Sequence, residues 1–413
     1  MKVLIFTASA GNGHNSTARR LVEKIQQENP ETKCEVVDIF KEYASKLKAW
    51  TMDEGYSLSC NHLLPIYNYF FKKSEKSSYE NRDKSKCNKS VYSVMYGMLN
   101  KIYKYKPDLI ISTYIFSSVA LTNIKRHYKI PARIICMTLD YGISPYWECC
   151  ASGLDYMFLS GDYMVKPFLE KGYKKEQLIV SGIPVADKFY NLPSKDEARE
   201  ILELDKDKFT LIIMKASFFP ISHKKIIKEL SKIEQPIQIV IVNGKNPKVK
   251  NDMQKRLKKA KLKHKIINLG FTTKITEYFA SCDLILGKAG GLSTTESINA
   301  GIPSLIIDKL PQQEIYNKDF LVNCGCAKTV NKRTIASTIN DLMTNPKEYE
   351  KMKKSALKIR IEGTLDKFYD IISSTPQADY SDIIFNDNKK TVIKNIDRKR
   401  KQTIKEQKNK SHK

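Results

Sequence analysis

Several groups of residues in this chain have the types and spacing to handle a phosphorylated, hydroxyl-rich ligand. The densest is Gly287-Lys-Ala-Gly-Gly-Leu-Ser-Thr-Thr-Glu296. A glycine turn that opens a helix leaves backbone N–H groups free at the positive end of the helix dipole, which suits a diphosphate. Lys288, Gly290 and Gly291 lie in that turn. Ser293 and Thr294 offer N-cap oxygens to a helix through Glu296 and Ala300. Glu296 falls about one turn inside, within reach of a sugar hydroxyl. Asn243 and the pair Phe271-Thr272 each follow an apolar run, and Gln313, Glu314 and Asn317 lie in Leu310-Pro-Gln-Gln-Glu-Ile-Tyr-Asn317. Their carboxylates and amides can hydrogen-bond sugar hydroxyls, while Lys288 and backbone amides hold phosphate.

A second group lies in the first half. Ser9-Ala-Gly-Asn-Gly-His14 follows a short apolar strand and places Gly11 and Gly13 in a turn, with His14 at its mouth. A histidine titrating near neutrality suits a general base, although a surface histidine beside a helix end reads equally well from the local sequence. The turn is not a full GxGxxG. Asp140, Tyr141 and Trp147 fall in Leu139-Asp-Tyr-Gly-Ile-Ser-Pro-Tyr-Trp147, after another apolar strand. In open α/β sheets ligand-facing residues collect there; Asp140 could also be a loop cap.

The elements that must position these residues alternate. Short apolar runs at Lys2–Thr7, Glu35–Ile39, Pro107–Thr113, Arg133–Thr138 and Asp155–Gly161 read as buried parallel strands separated by helices. The same alternation restarts at Phe209–Met214 and continues through Ile237–Val242, Ile266–Leu269, Leu284–Leu286 and Ser304–Ile307. The expectation is an α/β protein of two doubly wound, Rossmann-like domains, at residues 1–190 and 191–375, with a disordered tail at 376–413 that is too polar and basic to pack. Asn191–Lys208 reads as the linker region. Leu63-Leu-Pro-Ile-Tyr-Asn-Tyr-Phe-Phe71, followed by Lys72-Lys73, suits either an interfacial membrane contact or a core helix with a charged end.

The charge is lopsided. Lys+Arg 71 against Asp+Glu 45 gives +26, and Lys389–Lys413 holds 11 basic and 2 acidic residues, so +9 of that total. Such a balance favours a polyanionic partner, a membrane surface or nucleic acid, and charge alone does not choose between them. Nine cysteines without a CxxC pair fit a reduced, intracellular protein. No apolar run approaches the roughly 18 residues of a membrane span. Six scattered histidines and a solvated Asp205-Lys-Asp207 give no metal-ligand spacing, so no metal is expected. Neither a P-loop nor a GxSxG elbow is present.

Three motifs in order resemble one family. Ser-Ala-Gly-x-Gly-His at 9–14, Thr-x-Asp-Tyr-x-x-Ser-Pro-x-Trp at 138–147, and Gly270-Phe-Thr followed by Lys-x-Gly-Gly-x-Ser-Thr-x-Glu and Gln-Glu-x-x-Asn look like the glycosyltransferases that include processive diacylglycerol glucosyltransferases and monogalactosyldiacylglycerol synthases. The resemblance runs from Met1 to about Thr375. It implies a GT-B fold with a cleft between domains, a UDP-sugar held by the C-terminal domain and a membrane-borne acceptor by the N-terminal one. By position, Phe271 and Thr272 would lie near the base, Lys288 to Thr294 at the phosphates, Glu296 at the ribose, and Gln313, Glu314 and Asn317 at the sugar. His14 falls on the catalytic-histidine candidate, and Asp140 is a second one. Gly11, Gly13, Tyr141 and Trp147 would line the acceptor side.

The implied activity is inverting transfer of a hexose from a UDP-sugar to a lipid hydroxyl, most readily diacylglycerol, without metal or other cofactor. The partners would be the UDP-sugar, a lipid acceptor and an anionic membrane surface, not nucleic acid, with the protein peripheral at the inner face of the cell membrane. Two departures stand out. Met214-Lys-Ala-Ser-Phe-Phe-Pro220 lacks the glycines usual in that loop of the family, and Gln312 replaces a glycine. Three competing readings are a transferase with a polyprenyl-linked or soluble acceptor, a sugar-nucleotide epimerase, and a non-catalytic lipid- or nucleotide-binding relative.

Overall fold

A computed structural model of the chain describes residues 1–9, 12–44, 63–76, 86–215 and 219–381, with 383, 385, 388, 391 and 392 beyond. The chain divides into two compact units, Met1–Tyr56 with Tyr69–Pro184 and Gly363–Lys413, and Ser57–Asn68 with Val185–Glu362. The break falls at Pro184/Val185 instead of the expected 190/191, and the chain returns to the first unit at Gly363.

The first unit is built on β1 (Lys2–Thr7), β2 (Lys33–Asp38), β3 (Leu109–Ser112), β4 (Arg133–Met137), β5 (Tyr156–Leu159) and β6 (Leu178–Val180). These form one parallel sheet in the order β2-β1-β3-β4-β5-β6. Val3 to Phe6 and Leu109 to Ile111 have no exposed surface, because helices cover both faces of a parallel sheet. Those helices include α1 (Asn12–Glu28), α2 (Ile39–Tyr43), α4 (Lys86–Tyr105) and α5 (Ile115–His127); α3 (Leu64–Lys76) straddles the two units. The chain leaves β1 towards β2 but leaves β3 in the other direction, so the strand order reverses between β1 and β3. Loops at such a point part to opposite faces and open a crevice at the C-terminal strand ends.

The second unit repeats the scheme. Strands β7 (Thr210–Met214), β8 (Gln238–Val242), β9 (Lys265–Leu269), β10 (Leu284–Gly287), β11 (Ser304–Ile307) and β12 (Ala327–Val330) pair in the order β12-β11-β10-β7-β8-β9, all parallel. Here the order reverses between β7 and β10. Its helices include α7 (Lys195–Ile201), α8 (His223–Leu230), α9 (Pro247–Ala260), α10 (Ile275–Ser281), α11 (Gly291–Asn299) and α12 (Gln312–Asn323), and a short α6 (Val165–Glu170) belongs to the first unit. At the opposite strand ends, Asp283 receives Arg199 at 2.8 Å and the Thr210 amide at 2.7 Å, and pairs with Lys195. That buried cluster ties α7 to β7 and β10.

The tail differs from expectation. Tyr380 is buried and its hydroxyl donates to the Pro107 carbonyl at 2.9 Å. Phe385 stacks on Tyr103 with centroids 4.6 Å apart, and Val392 has no exposed surface. These apolar residues dock on the first unit, so the chain stays packed beyond residue 376. Its most basic stretch, from 393, lies outside the described residues. No helix of the described residues is long and apolar enough to cross a membrane.

Candidate active site

In the first unit the site begins where β1 ends. Gly11 lies outside the described residues, while Gly13 and His14 open α1. Nδ1 of His14 lies 2.6 Å from the Thr113 carbonyl oxygen, just past β3. A carbonyl can only accept, so Nδ1 carries the proton and Nε2 keeps its lone pair. The edge of the Tyr114 ring meets the imidazole, centroids 4.9 Å apart. Burial pushes the imidazole below its ordinary 6.5, with the Thr113 bond partly offsetting. The ring is therefore neutral at pH 7.

Around it runs a chain of neutral groups. Thr113 Oγ1 donates to Thr7 Oγ1 at 2.9 Å, Thr7 Oγ1 to Asn15 Oδ1 at 3.0 Å, and Asn15 Nδ2 to Ser9 Oγ at 3.0 Å. Ser9 Oγ then donates to Asp38 at 2.5 Å, a carboxylate that also caps α2. This network ties the start of α1 at Asn15 to the ends of β1, β2 and β3, and its members Thr7, Asn15 and Thr113 were not evident from the sequence.

Asp140 follows β4, two strands from β1 along the same sheet edge, about 10 Å at ordinary strand spacing. Its carbonyl accepts Ser160 Oγ at 2.9 Å, and the Tyr141 carbonyl accepts Tyr163 Oη at 2.7 Å. Tyr141 and Trp147 are both buried. The indole packs near Phe168 in the core, and the Trp147 carbonyl accepts Tyr173 Oη at 2.7 Å. Trp147 thus supports this loop from beneath instead of lining an acceptor surface.

In the second unit the glycine turn follows β10 at the reversal point. Gly290 is the N-cap of α11, and no side chain caps that helix. The expected caps are displaced: Ser293 lies inside the first turn and donates back to the Gly290 carbonyl at 3.1 Å, and Thr294 is the residue whose amide bonds that carbonyl at 2.8 Å. Because the cap is a glycine without side-chain oxygens, the first amides of α11 stay open for an outside acceptor. A Cβ on Gly290 would sit 3.3 Å from Ser293 Oγ, 3.9 Å from Lys288 Nζ and 4.0 Å from Glu314 Oε1. A side chain there would press on Ser293 Oγ and take up the space between Lys288 and Glu314.

Lys288 pairs with Glu314, and Asn317 Nδ2 donates to the Ala289 carbonyl at 2.8 Å, so α12 is tied to the turn. Buried Glu314 Oε2, Gln312 Oε1 and Thr294 Oγ1 have no hydrogen-bond partner among the described residues. Buried polar atoms are normally satisfied. Three such atoms beside an open helix N-terminus mark a place built for a polar ligand. Glu296 lies in the second turn of α11 and is half-buried.

Two further groups stand on the same strand edge. Asn243 Nδ2 donates to Asn268 Oδ1 at 2.7 Å and to the Leu269 carbonyl at 2.8 Å, so its amide nitrogen is spent on joining β8 to β9; buried Oδ1 has no partner among the described residues. Phe271 is 63% exposed with Lys245 Nζ 5.4 Å from its ring centre. An aromatic face left open suits a planar base. Thr272 Oγ1 accepts the Lys274 amide at 3.1 Å, shaping that turn.

Residues from far earlier in the chain pack on the start of α12. Tyr67 Oη donates to Gln313 Oε1 at 2.9 Å. Asn68 Nδ2 donates to the Leu310 carbonyl at 3.0 Å, and its Oδ1 accepts the Gln312 amide at 2.9 Å. Asn68 therefore caps α12 from outside. Both residues lie on α3, whose neighbours Leu63, Ile66 and Tyr69 are exposed, as are Lys72 and Lys73. An exposed apolar stripe is not the face of a core helix.

A neutral histidine at the strand edge of the first unit, and an open helix N-terminus beside a lysine in the second, suit group transfer from a phosphorylated donor, and comparison with known proteins agrees. Residues 14–185 match the monogalactosyldiacylglycerol (MGDG) synthase family and residues 194–359 match glycosyl transferases group 1. The chain is a glycosyltransferase of the GT-B fold, with an MGDG synthase domain followed by a group 1 domain. More particularly, it is similar to the processive diacylglycerol beta-glucosyltransferase of Bacillus licheniformis, 26% identical over 94% of this chain and 97% of that protein. Among solved structures it is similar to MurG of Acinetobacter baumannii, TM-score 0.59 and 13% identity over 90% of this chain and 99% of that one. A UDP-GlcNAc 2-epimerase from Neisseria meningitidis, bound to UDP-GlcNAc, has TM-score 0.57 and 16% identity over 91% and 99%. At such identities the two structures speak to fold alone.

Proposed function

We propose that the protein transfers a hexose from a UDP-sugar to the hydroxyl of diacylglycerol, with inversion at the sugar carbon. The observation that carries this reading is the open N-terminus of α11, set against Lys288 and three unsatisfied buried polar atoms. Phosphate oxygens of the donor would take the α11 amides and Lys288. The uracil would lie on Phe271, with Asn243 Oδ1 and Thr272 beside it, and Glu296 would accept from the ribose. Gln313, Glu314 and Asn317 would meet the sugar. The leaving UDP is then stabilised by fixed amide dipoles and an ammonium already in place.

His14 would act as the general base. Its Nε2 lone pair takes the proton of the acceptor hydroxyl while that oxygen bonds to the anomeric carbon and the bond to UDP breaks. The bond from Nδ1 to Thr113 fixes the tautomer and steadies the imidazolium that forms. Asp140, three residues past the end of β4 at Met137 on the same edge of the first sheet, is the alternative base.

The exposed stripe of α3 with Lys72 and Lys73, together with the basic tail, fits adsorption to an anionic lipid surface at the inner face of the cell membrane. The reading asks for no metal. Incubation with diacylglycerol vesicles and UDP-glucose or UDP-galactose should yield glycolipid and equimolar UDP. UDP release only with a polyprenyl-linked or soluble acceptor would move the acceptor assignment; no release with any acceptor would sink the transferase reading.

A further inference from the structure

A cluster of cations stands on the same strand edge of the second sheet, but on its other face. The crossovers β7–α8–β8 and β10–α11–β11 run in opposite directions along the sheet. With the same right-handed sense, they put α8 and α11 on opposite faces. A helix that follows β12, α13 (Ile335–Thr344), packs on α8, and the Ala336 amide donates to buried Glu229 Oε2 at 3.3 Å. Lys225 lies one turn before Glu229 in α8, and Lys332 and Arg333 lie just before α13. The link between the two helices therefore draws these three cations together.

Strand register adds a fourth. Ile307 of β11 pairs with Val330 of β12, and the Asp308 amide donates to the Val330 carbonyl at 2.9 Å. Continued past the strand ends, that register sets Lys309 beside Lys332. The turn that carries Lys332 and Arg333 is fixed from within. Asn331 Oδ1 accepts the Arg333 amide at 2.8 Å, and Thr334 Oγ1 accepts the Asn331 amide at 3.0 Å.

The cluster has no counter-ion among the described residues. Glu229 is spent on the Ala336 amide and on Lys232 at 2.5 Å, and none of the four cations is in an ion pair. All four side chains are exposed, so no packing forces them together. Lys225 nevertheless stands within hydrogen-bonding reach of Lys332, and its repulsion, with less from Arg333 and Lys309, lowers the Lys332 pKa. Like charges held this close disfavour one another, and such perturbed groups gather at binding sites. A phosphate is the fitting counter-ion. It carries about 1.5 to 2 negative charges near neutral pH, and its oxygens can bond several ammonium groups and a guanidinium at once.

We propose that Lys225, Lys309, Lys332 and Arg333 form a second phosphate site, separate from that of the donor. Its ligand is a phosphomonoester, carried either by a lipid headgroup or by a soluble compound. The donor diphosphate belongs to the open start of α11, on the opposite face, so the proposal goes beyond the donor reading and does not need it.

The test offers one phosphomonoester in two forms: glycerol phosphate in solution, and phosphatidic acid in phosphatidylcholine vesicles. The full-length protein is titrated calorimetrically with the first and sedimented with the second, each with and without saturating UDP. At least one probe should bind whether or not UDP is present. Lys332→Gln/Arg333→Gln should weaken that binding about tenfold or more. Glycerol phosphate binding that falls in this variant assigns a soluble ligand; vesicle binding alone that falls assigns a lipid headgroup. The control is Lys258→Gln/Lys259→Gln on α9, which removes the same charge from two exposed positions. It should change binding by no more than about twofold. Equal weakening in the two double variants would reduce the cluster to bulk charge and overturn the inference. So would binding that UDP abolishes, which places the phosphate in the donor site, or no binding of either probe.

Discussion

The two sheets each reverse their strand order once, and the two reversal points carry opposite chemistry. Between β1 and β3 the groups nearest His14 are neutral: a carbonyl, two threonine hydroxyls, an asparagine and an aromatic edge. Between β7 and β10 stand Lys288, buried Lys215 and the positive end of α11. A base must be unprotonated to act, so it gains from burial among neutral partners that keep its pKa low. A leaving diphosphate needs positive charge already in position. One architecture can carry both kinds of site because the strand ends fix where the loops stand while the loop residues choose the charge.

The comparison can be broken most severely at His14. His14→Ala should cut turnover by about two to four orders of magnitude, the usual range for a general base, measured as glycolipid formed at saturating donor. Turnover should also fall on the acid side, because protonation of Nε2 removes the base. The folded imidazole lies below 6.5, so the acid limb should have its midpoint below pH 6.5 and activity should be level through pH 7. An acid limb centred above 6.5 would reject the neutral-pocket account.

On the cationic side, Glu296→Gln should weaken the donor by about 1.5–3 kcal/mol, roughly 10- to 150-fold in KM, with kcat much less affected. An unchanged donor KM would remove Glu296 from the ribose. Asn68→Ala should have the smallest effect. It deletes two neutral hydrogen bonds to Leu310 and Gln312, each worth about 0.5–1.5 kcal/mol, and loosens the start of α12. A donor KM raised by a few-fold is expected, whereas loss of folding would make Asn68 a stability residue instead.

The fold was largely legible in the sequence because parallel strands buried on both faces are unbroken apolar runs, such as Val3–Phe6 and Leu211–Ile213. The glycine turn at 287–291 was legible for the same local reason. What escaped were roles set by conformation or by distant partners. The cap of α11 is Gly290, a choice of backbone angles that Ser293 and Thr294 masked by being the residue types that usually cap. The partner of His14 comes 99 residues later, and Asn68 meets Leu310 and Gln312 across 242 and 244 residues. Trp147 looked like an acceptor-facing aromatic, but the sheet places its ring in the core. The docking of the tail rests on Tyr380, Phe385 and Val392, three apolar residues thinly spread among polar ones, which composition alone averages away.

The central claim is the division of labour between the two reversal points. The most direct test is the UDP dissociation constant of His14→Ala and Lys288→Met beside the wild type. The account predicts that His14→Ala binds UDP as the wild type does, while Lys288→Met binds it roughly 10- to 100-fold more weakly. Equal weakening in both variants, or in neither, would contradict it.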